Sequence, residues 1–260
     1  MNSSVQAEPH TRHVPPLGGF NLTALGLEVR RVLRNRRTVM FILVFPSVFF
    51  FMFGLTAKNQ AQGGPEAIAY VMISMAVYGA MVGTTSGGAA VAIERSLGWS
   101  RQLRLTPLRP AAYVAMKVLT AMTLGLIAIV AEYAVGAIAG VRMAPEVWIL
   151  SGIAAWLCSF VFAAFGLFMG FLLPSENVMQ FVGPLLAVLA MFGGLFIPLS
   201  ALSPTLRSVA RFSPVWGVGQ LARAPLVGGF SSAAVLSVAV WTLAFGMGAM
   251  ALFRRDTGRV

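Results

Sequence analysis

Acidic residues are scarce in this chain: 8 Asp and Glu stand against 19 Lys and Arg, with 2 His and 1 Cys among 260 residues. Charged side chains of either sign make up 10% of the sequence, while 58% is hydrophobic. Each shortage excludes something. The lone Cys158 rules out a disulfide framework, and its place inside an apolar run gives it the role of a small packing residue. His10 and His13 stand in a polar N-terminal stretch without the neighbours that a metal site needs. The sequence has no G-x-x-x-x-G-K-[ST] element, so the chain lacks the glycine-rich cradle and lysine that hold nucleotide phosphates in the P-loop manner. No catalytic constellation is visible, and the polar stretches are too short to build a separate soluble domain.

The chain is rich in long apolar runs, several exceeding the ~18 residues expected of a transmembrane helix. The hydropathy pattern predicts an all-α polytopic membrane protein with six spans at about 38–56, 67–93, 111–139, 146–172, 178–199 and 231–253. Residues 1–19 are polar and proline-containing, so the first apolar run is expected to act as a retained signal-anchor. Basic residues set the orientation. Arg12, Arg30, Arg31, Arg34, Arg36 and Arg37 precede the first span. Arg95, Arg101, Arg104, Arg109 and Lys117 surround the loop after the second, and Arg254, Arg255 and Arg259 follow the last. The other side holds only Lys58, Arg142, Arg207, Arg211 and Arg223. The positive-inside bias puts both termini in the cytoplasm, as an even number of spans requires.

Residues 1–37 read as a cytoplasmic tail and a surface helix, 38–253 as the six-span domain and 254–260 as a second cytoplasmic tail. Within 21–37, Leu22, Leu25, Val29, Val32 and Leu33 recur at helical spacing, which predicts an amphipathic helix lying in the membrane interface. A plain cytoplasmic extension of span one is the alternative. Between spans five and six, residues 200–230 are broken by prolines. Ser203 can cap a helix opening on Pro204 and limited by Pro214, about nine residues or roughly 14 Å long and too short to cross. A second short segment, 215–227, is interrupted by Gly217, Gly219 and Pro225. Two short re-entrant helices on the outer side are expected, forming either an outer gate or a passive lid.

Small residues at Gly79, Gly83 and Gly87, at Gly136 and Gly140, and at Gly166 and Gly170 have the spacing that lets helices approach closely in lipid. Phe41, Phe45, Phe49 and Phe53 recur every four residues around Pro46 and form one stripe on span one. That stripe either faces lipid and neighbouring helices or lines a cavity suited to apolar cargo, with Met191-Phe192-Gly193-Gly194 of span five as its counterpart. Glu132 is the one acidic residue well inside a span. A charge at such depth costs on the order of 3 kcal/mol on insertion scales. It is either a functional group or one end of an interhelical hydrogen bond, to a neighbour such as Tyr133 or to Arg142.

The polar segment 94–110 interrupts two apolar runs. Glu94 favours a helix start, Arg101 and Arg104 favour its later turns, and Pro107 and Pro110 stop it. Leu97, Arg101, Arg104 and Leu108 share a face fit for a groove on a soluble partner, although an ordinary positive-inside loop has the same charge.

Glu94-Arg95, Gly98, Arg101-Gln102-Leu103 and Leu105-Thr106-Pro107-Leu108 together resemble the cytoplasmic segment of ABC-2 type transporter permeases, most of all the daunorubicin-resistance exporter branch. Phe196-Ile197-Pro198, Ser203-Pro204 and Phe212-Ser213-Pro214 match the outer region. The resemblance implies a coupling helix seated on a separate cytoplasmic ATPase, with Glu94, Arg95, Gly98, Arg101, Gln102, Leu103, Thr106 and Pro107 at the interface. It implies two permease copies with two ATPase subunits that bind the ATP and Mg; this chain itself binds no cofactor or metal and is not an enzyme by itself. Spans one, two and five would line a substrate path or dimer interface, with Phe41, Phe45, Phe49, Phe53, Met191, Phe192 and Glu132 as candidate residues. A hydrophobic drug-like or lipid-like cargo would be exported across the bacterial cytoplasmic membrane. A polysaccharide or glycolipid exporter, a stand-alone ion-coupled carrier using Glu132, and a non-transporting scaffold are the competing readings.

Overall fold

The computed structural model describes residues 20–59, 65–98, 110–175 and 178–258, and their regular structure is entirely helical. The helices are α1 (Leu22–Leu33), α2 (Arg36–Asn59), α3 (Pro65–Ala89), α4 (Val91–Ser96), α5 (Pro110–Ile138), α6 (Pro145–Cys158), α7 (Phe160–Leu172), α8 (Val178–Phe192), α9 (Pro204–Ala210), α10 (Pro214–Val227) and α11 (Ser232–Gly258). Four are long and apolar enough to cross a bilayer: Glu66–Ser96, Ala111–Ile138, Pro145–Leu172 and Ser232–Asp256. The second of these expected spans is longer than its hydropathy run, because α4 continues α3 past Ala90 and takes in Glu94 and Arg95.

Of the other two expected spans, the first counts as a crossing only as part of a bent pair and the fifth is shorter than expected. Helix α1 is capped by the Asn21 side chain, which accepts from the Thr23 N–H at 2.8 Å, and the chain bends by 64° between α1 and Thr38–Gly54. If that bent pair is one span, the number of candidate spans is five. The fifth expected span, 178–199, is corrected most. Helix α8 has 15 residues, roughly 22 Å of rise against ~30 Å of hydrocarbon. It ends at Phe192 because Gly193 and Gly194 turn the chain, Gly194 at φ +82°, a conformation open to glycine at no steric cost.

Helix α3 is the axis of the bundle. Its residues from Met72 to Met81 are buried on every side, the pattern of a helix surrounded by others. It packs most extensively on α5, then on α7 and α2, and it also touches α6, α8 and α10. Small residues make the closest of these contacts. A Cβ on Gly87 would stand 2.7 Å from the Ala121 Cα, and one on Gly166 would stand 2.3 Å from the Thr85 carbonyl oxygen. Gly79, Gly83, Gly136 and Gly170 likewise face a neighbouring helix within van der Waals reach. Gly140 does not: it occupies the turn after α5 at φ +82° with open space around it.

The region after α8 holds two short helices, as its prolines predict. Ser203 and Ser213 cap them, accepting from the Leu206 and Val215 N–H groups. Helix α10 is nevertheless continuous through Gly217, Gly219 and Pro225. Gly217 lets its backbone approach the Ala234 carbonyl of α11, and Gly219 leaves room for the Arg223 guanidinium one turn on. Helix α11 lies outermost, packing on α7 and α10 and exposing Leu236, Val240, Leu243 and Met247.

Candidate functional site

Two regions carry polar chemistry or free space, and both lie around α3. The first is the end of the bundle where α1, α4, the start of α5 and the end of α11 meet. Tyr113 and Lys117, one turn apart on α5, face the same carboxylate. The Tyr113 hydroxyl donates to Glu94 Oε2 at 2.7 Å, and the Lys117 ammonium pairs with Glu94 and with Glu28 of α1. Arg31 of α1 donates to Glu94 at 2.5 Å and to Glu28 at 2.7 Å. Two carboxylates thus meet two cations, and the side chains of Glu94 and Lys117 are each only 6% exposed. Buried charges of this kind hold together only as a complete set, since removing one leaves its partner desolvated and unpaired.

Arg95, the next residue, turns the other way. Its guanidinium forms a fork with Asp256 of α11, at 2.8 and 2.9 Å. Its remaining Nη1 donates to the Gly170 and Phe171 carbonyls at 3.1 and 2.8 Å. These carbonyls belong to the last turn of α7, where they have no partner within the helix and where a cation is favoured by the helix dipole. Glu94 and Arg95 are therefore engaged inside the bundle, one with α1 and α5, the other with α7 and α11. Gly98 lies at φ +74°, with none of the described residues within 4 Å of where its Cβ would be. Arg101, Gln102, Leu103, Thr106 and Pro107 lie outside the described residues.

The second region is a groove of about 430 Å³ between α2, α3 and α8. Phe41 and Phe45 of α2, Tyr78 and Val82 of α3, and Val182 and Leu186 of α8 line it, and Thr38, Ser86 and Tyr78 are its residues with polar groups. Among the described residues, none of the side chains that line it is charged. The phenylalanine stripe is divided by its neighbours. Phe41 and Phe45 border the groove, while Phe49 and Phe53 pack on Phe196, with ring centroids 5.1 and 6.0 Å away. Tyr78 completes that second group, 4.9 Å from Phe196 and 6.4 Å from Phe49. Met191 and Phe192, at the end of α8, are exposed and do not border the groove.

Glu132 is 2% exposed on α5. Its Oε2 accepts from the Ser47 hydroxyl of α2 at 2.8 Å, and Oε1 has no hydrogen-bond partner among the described residues. The expected neighbours do not serve it: the Tyr133 hydroxyl bonds to Ser151 instead, and Arg142 is exposed. Glu132 thus ties α5 to the helix that carries the phenylalanine stripe, next to Pro46, without bordering the groove.

Several residues with buried polar contacts were not singled out by pattern. Lys117 and Arg223 counted only as flanking charges, and Glu28, Tyr113 and Asp256 not at all. A signal existed for Lys117, a lysine one turn after a tyrosine within an apolar run. For Arg223 none did, because its partners lie on α3 and after α8: it donates to Ser74 Oγ at 3.0 Å and to the Gly194 carbonyl at 2.9 Å.

A bundle of long apolar helices, with the ionic contacts of Glu94 and Arg95 at one end and an apolar-lined groove along its side, is an integral membrane protein. The sequence profile of the ABC-2 type transporter family matches residues 22–227, and the chain belongs to that family. It is also similar to YvfS of Bacillus subtilis (strain 168), a transport permease by name, with 26% identity over 194 residues that cover 74% of this chain and 79% of the relative. Members of the family are transport permease components, not catalysts in themselves, and generally work with a separate ATPase subunit.

Proposed function

We propose that this chain is the membrane subunit of an ATP-driven exporter, working as two copies with two cytoplasmic ATPase subunits that bind ATP and Mg. In this reading 94–110 is the coupling segment, α1 lies in the cytoplasmic interface, both termini are cytoplasmic, and α8 to α10 make the outer part of six membrane-inserted elements in the bacterial inner membrane. The observation that carries it is the pair of ionic links at Glu94 and Arg95. A push on the segment that begins there reaches α1 and α5 through Glu94, and α7 and α11 through Arg95. Nucleotide can drive transport only if its binding favours one arrangement of these helices over another. Such links let a docked ATPase move several helices at once.

The cargo is a hydrophobic drug-like or lipid-like molecule that travels through or beside the dimer interface along the groove of α2, α3 and α8. The apolar lining given by Phe41, Phe45, Val82, Val182 and Leu186 favours an uncharged, apolar cargo part over a sugar chain, although the lipid end of a glycolipid would fit equally. An ion-coupled carrier would need more buried ionisable groups facing a path than Glu132 provides.

The test is co-purification of the tagged permease, from the cells that make it, with a P-loop ATPase subunit. The double change Arg101→Glu with Leu103→Asp is expected to leave the permease folded, by its thermal unfolding in detergent, while abolishing ATPase capture and cargo export. Export that persists in the double variant, or that proceeds without any ATPase, overturns the reading.

A further inference from the structure

We propose that Arg223 is a positioning residue that holds shut the end of the groove away from α1 and α4, by fixing the two backbones that carry Tyr78 and Phe196. The proposal deepens the export reading, since it treats the groove as the cargo path.

Tyr70, Ser74 and Tyr78 stand four residues apart and share one face of α3. The Arg223 guanidinium lies over the Tyr70 ring, 4.5 Å from its centre, and donates through Nη1 to Ser74 Oγ at 3.0 Å. The same Nη1 donates to the carbonyl of Gly194 at 2.9 Å. That carbonyl sits just past the end of α8, where unpaired carbonyls and the helix dipole favour a cation. Two residues further on is Phe196. One turn along α3 from Ser74 is Tyr78. These two rings meet at 4.9 Å, and with Phe49 and Phe53 of α2 they form the aromatic group beyond Phe41 and Phe45, where the groove ends. A single guanidinium therefore bridges the broken end of α8 and the face of α3 at the point where the aromatic rings close.

Arg223 is 1% exposed, and no carboxylate pairs with it among the described residues. A leucine would fill such a place at less cost, because a buried guanidinium must be desolvated. The charge is held by one hydroxyl, one backbone oxygen and one ring, and its Nε has no hydrogen-bond partner in this arrangement. Such a contact can be broken without separating an ion pair, so it fits a closure that opens and reforms. Gly219 is part of the device: a Cβ there would come within 2.8 Å of Arg223 Nη2.

Thiol crosslinking tests the closure without depending on transport, so its failure is separate from failure of the export reading. In a Cys158→Ala background, the paired changes Tyr78→Cys and Phe196→Cys report the closure through a short bis-methanethiosulfonate reagent. Phe165→Cys with Phe245→Cys is the control, since those rings are 5.0 Å apart on α7 and α11 and Arg223 touches neither. With Arg223 present, both pairs are expected to link. Arg223→Met should slow the Tyr78–Phe196 link by about fivefold or more, as expected for the loss of hydrogen bonds from a charged donor, and leave the control unchanged. Arg223→Lys should restore part of the rate, because it keeps the positive charge beside the end of α8 while losing the planar fork over Tyr70. If Arg223→Met fails to fold, Ser74→Ala decides, since it removes one bond and should give a smaller, selective slowing. An unchanged Tyr78–Phe196 rate in whichever variant folds, or an equal slowing of both pairs, overturns the proposal.

Discussion

Helix α3 meets its neighbours in two ways. Toward α5 and α7 the contact is backbone on backbone, with glycines where any side chain would collide. Toward α8 and the part of α2 that carries Phe41 and Phe45, a groove of about 430 Å³ opens between the helices, although Gly79 of α3 still meets Pro46 and the Ile42 carbonyl of α2. The first side is a seam with no slack, because close-packed atoms have discrete arrangements and little room to slide. The second is a looser wall, where α8 touches α3 far less than α5 or α7 does. A membrane protein that must change shape needs both, a fixed frame and a side that can part from it. The difference makes α3, α5 and α7 the tightly packed frame and leaves the free volume on the groove side.

The seam is where a small change should do the most harm. In Gly166→Ala the new methyl would meet the Thr85 carbonyl oxygen at 2.3 Å, and the obstruction is backbone, which cannot swing aside. The expected loss is about 3 kcal/mol or more, the upper end of overpacking costs. Folded protein recovered in detergent should fall sharply, while Gly183→Ala, on the groove side with nothing within 4 Å, should leave the yield unchanged. Equal yields of the two variants would remove the contrast between seam and wall.

A second expected effect is at the ionic end. Lys117→Met would leave Glu94 and Glu28 facing each other with only the Tyr113 hydroxyl and the half-exposed Arg31 to offset them. Breaking a buried set of this kind costs roughly 3 kcal/mol. In a chain of this size that corresponds to a fall of about 6–12 °C in Tm. Arg31→Ala should cost far less, about 1 kcal/mol at most, because the Arg31 side chain is 55% exposed and water screens its charge. Thermal unfolding of both variants measures the difference, and a larger loss for Arg31 would mean that Lys117 is not the centre of the cluster.

Hydropathy made four spans legible, because a long apolar helix announces itself in a window of its own residues. The length of α8 was hidden. Gly193-Gly194 read as a close approach, and only the chain's return as Phe196, packed on Phe49 and Tyr78, shows that it is a turn. The start of the coupling segment was legible as charge but not as structure. Glu94 looked like the first turn of a new helix, whereas it lies in a helix that continues α3, and its partners come from α1 and α5. Glu132 was legible as costly, but its partner Ser47 is 85 residues away in sequence and could not be read from spacing. Local periodicity finds helices; it does not say which side chains they bring together.

The phenylalanine stripe gives the subtlest version of the same comparison, within one helix. Phe45 borders the groove and is 43% exposed, whereas Phe49 is partly buried against Tyr78 and Phe196. Phe49→Ala removes aromatic contacts with both rings and should cost about 2–3 kcal/mol, below the range for a fully buried phenylalanine. Phe45→Ala removes one face of the groove and should change stability by under about 1 kcal/mol. Its effect belongs instead to cargo. Reconstituted with the ATPase, the Phe45→Ala permease should show cargo-stimulated hydrolysis reduced several-fold for apolar probes, with basal hydrolysis unchanged. Phe49→Ala should lower Tm before it alters cargo response. If the two variants lose stability equally and neither alters the response to cargo, the stripe is a packing element along its whole length, and the groove beside Phe41 and Phe45 is not the path.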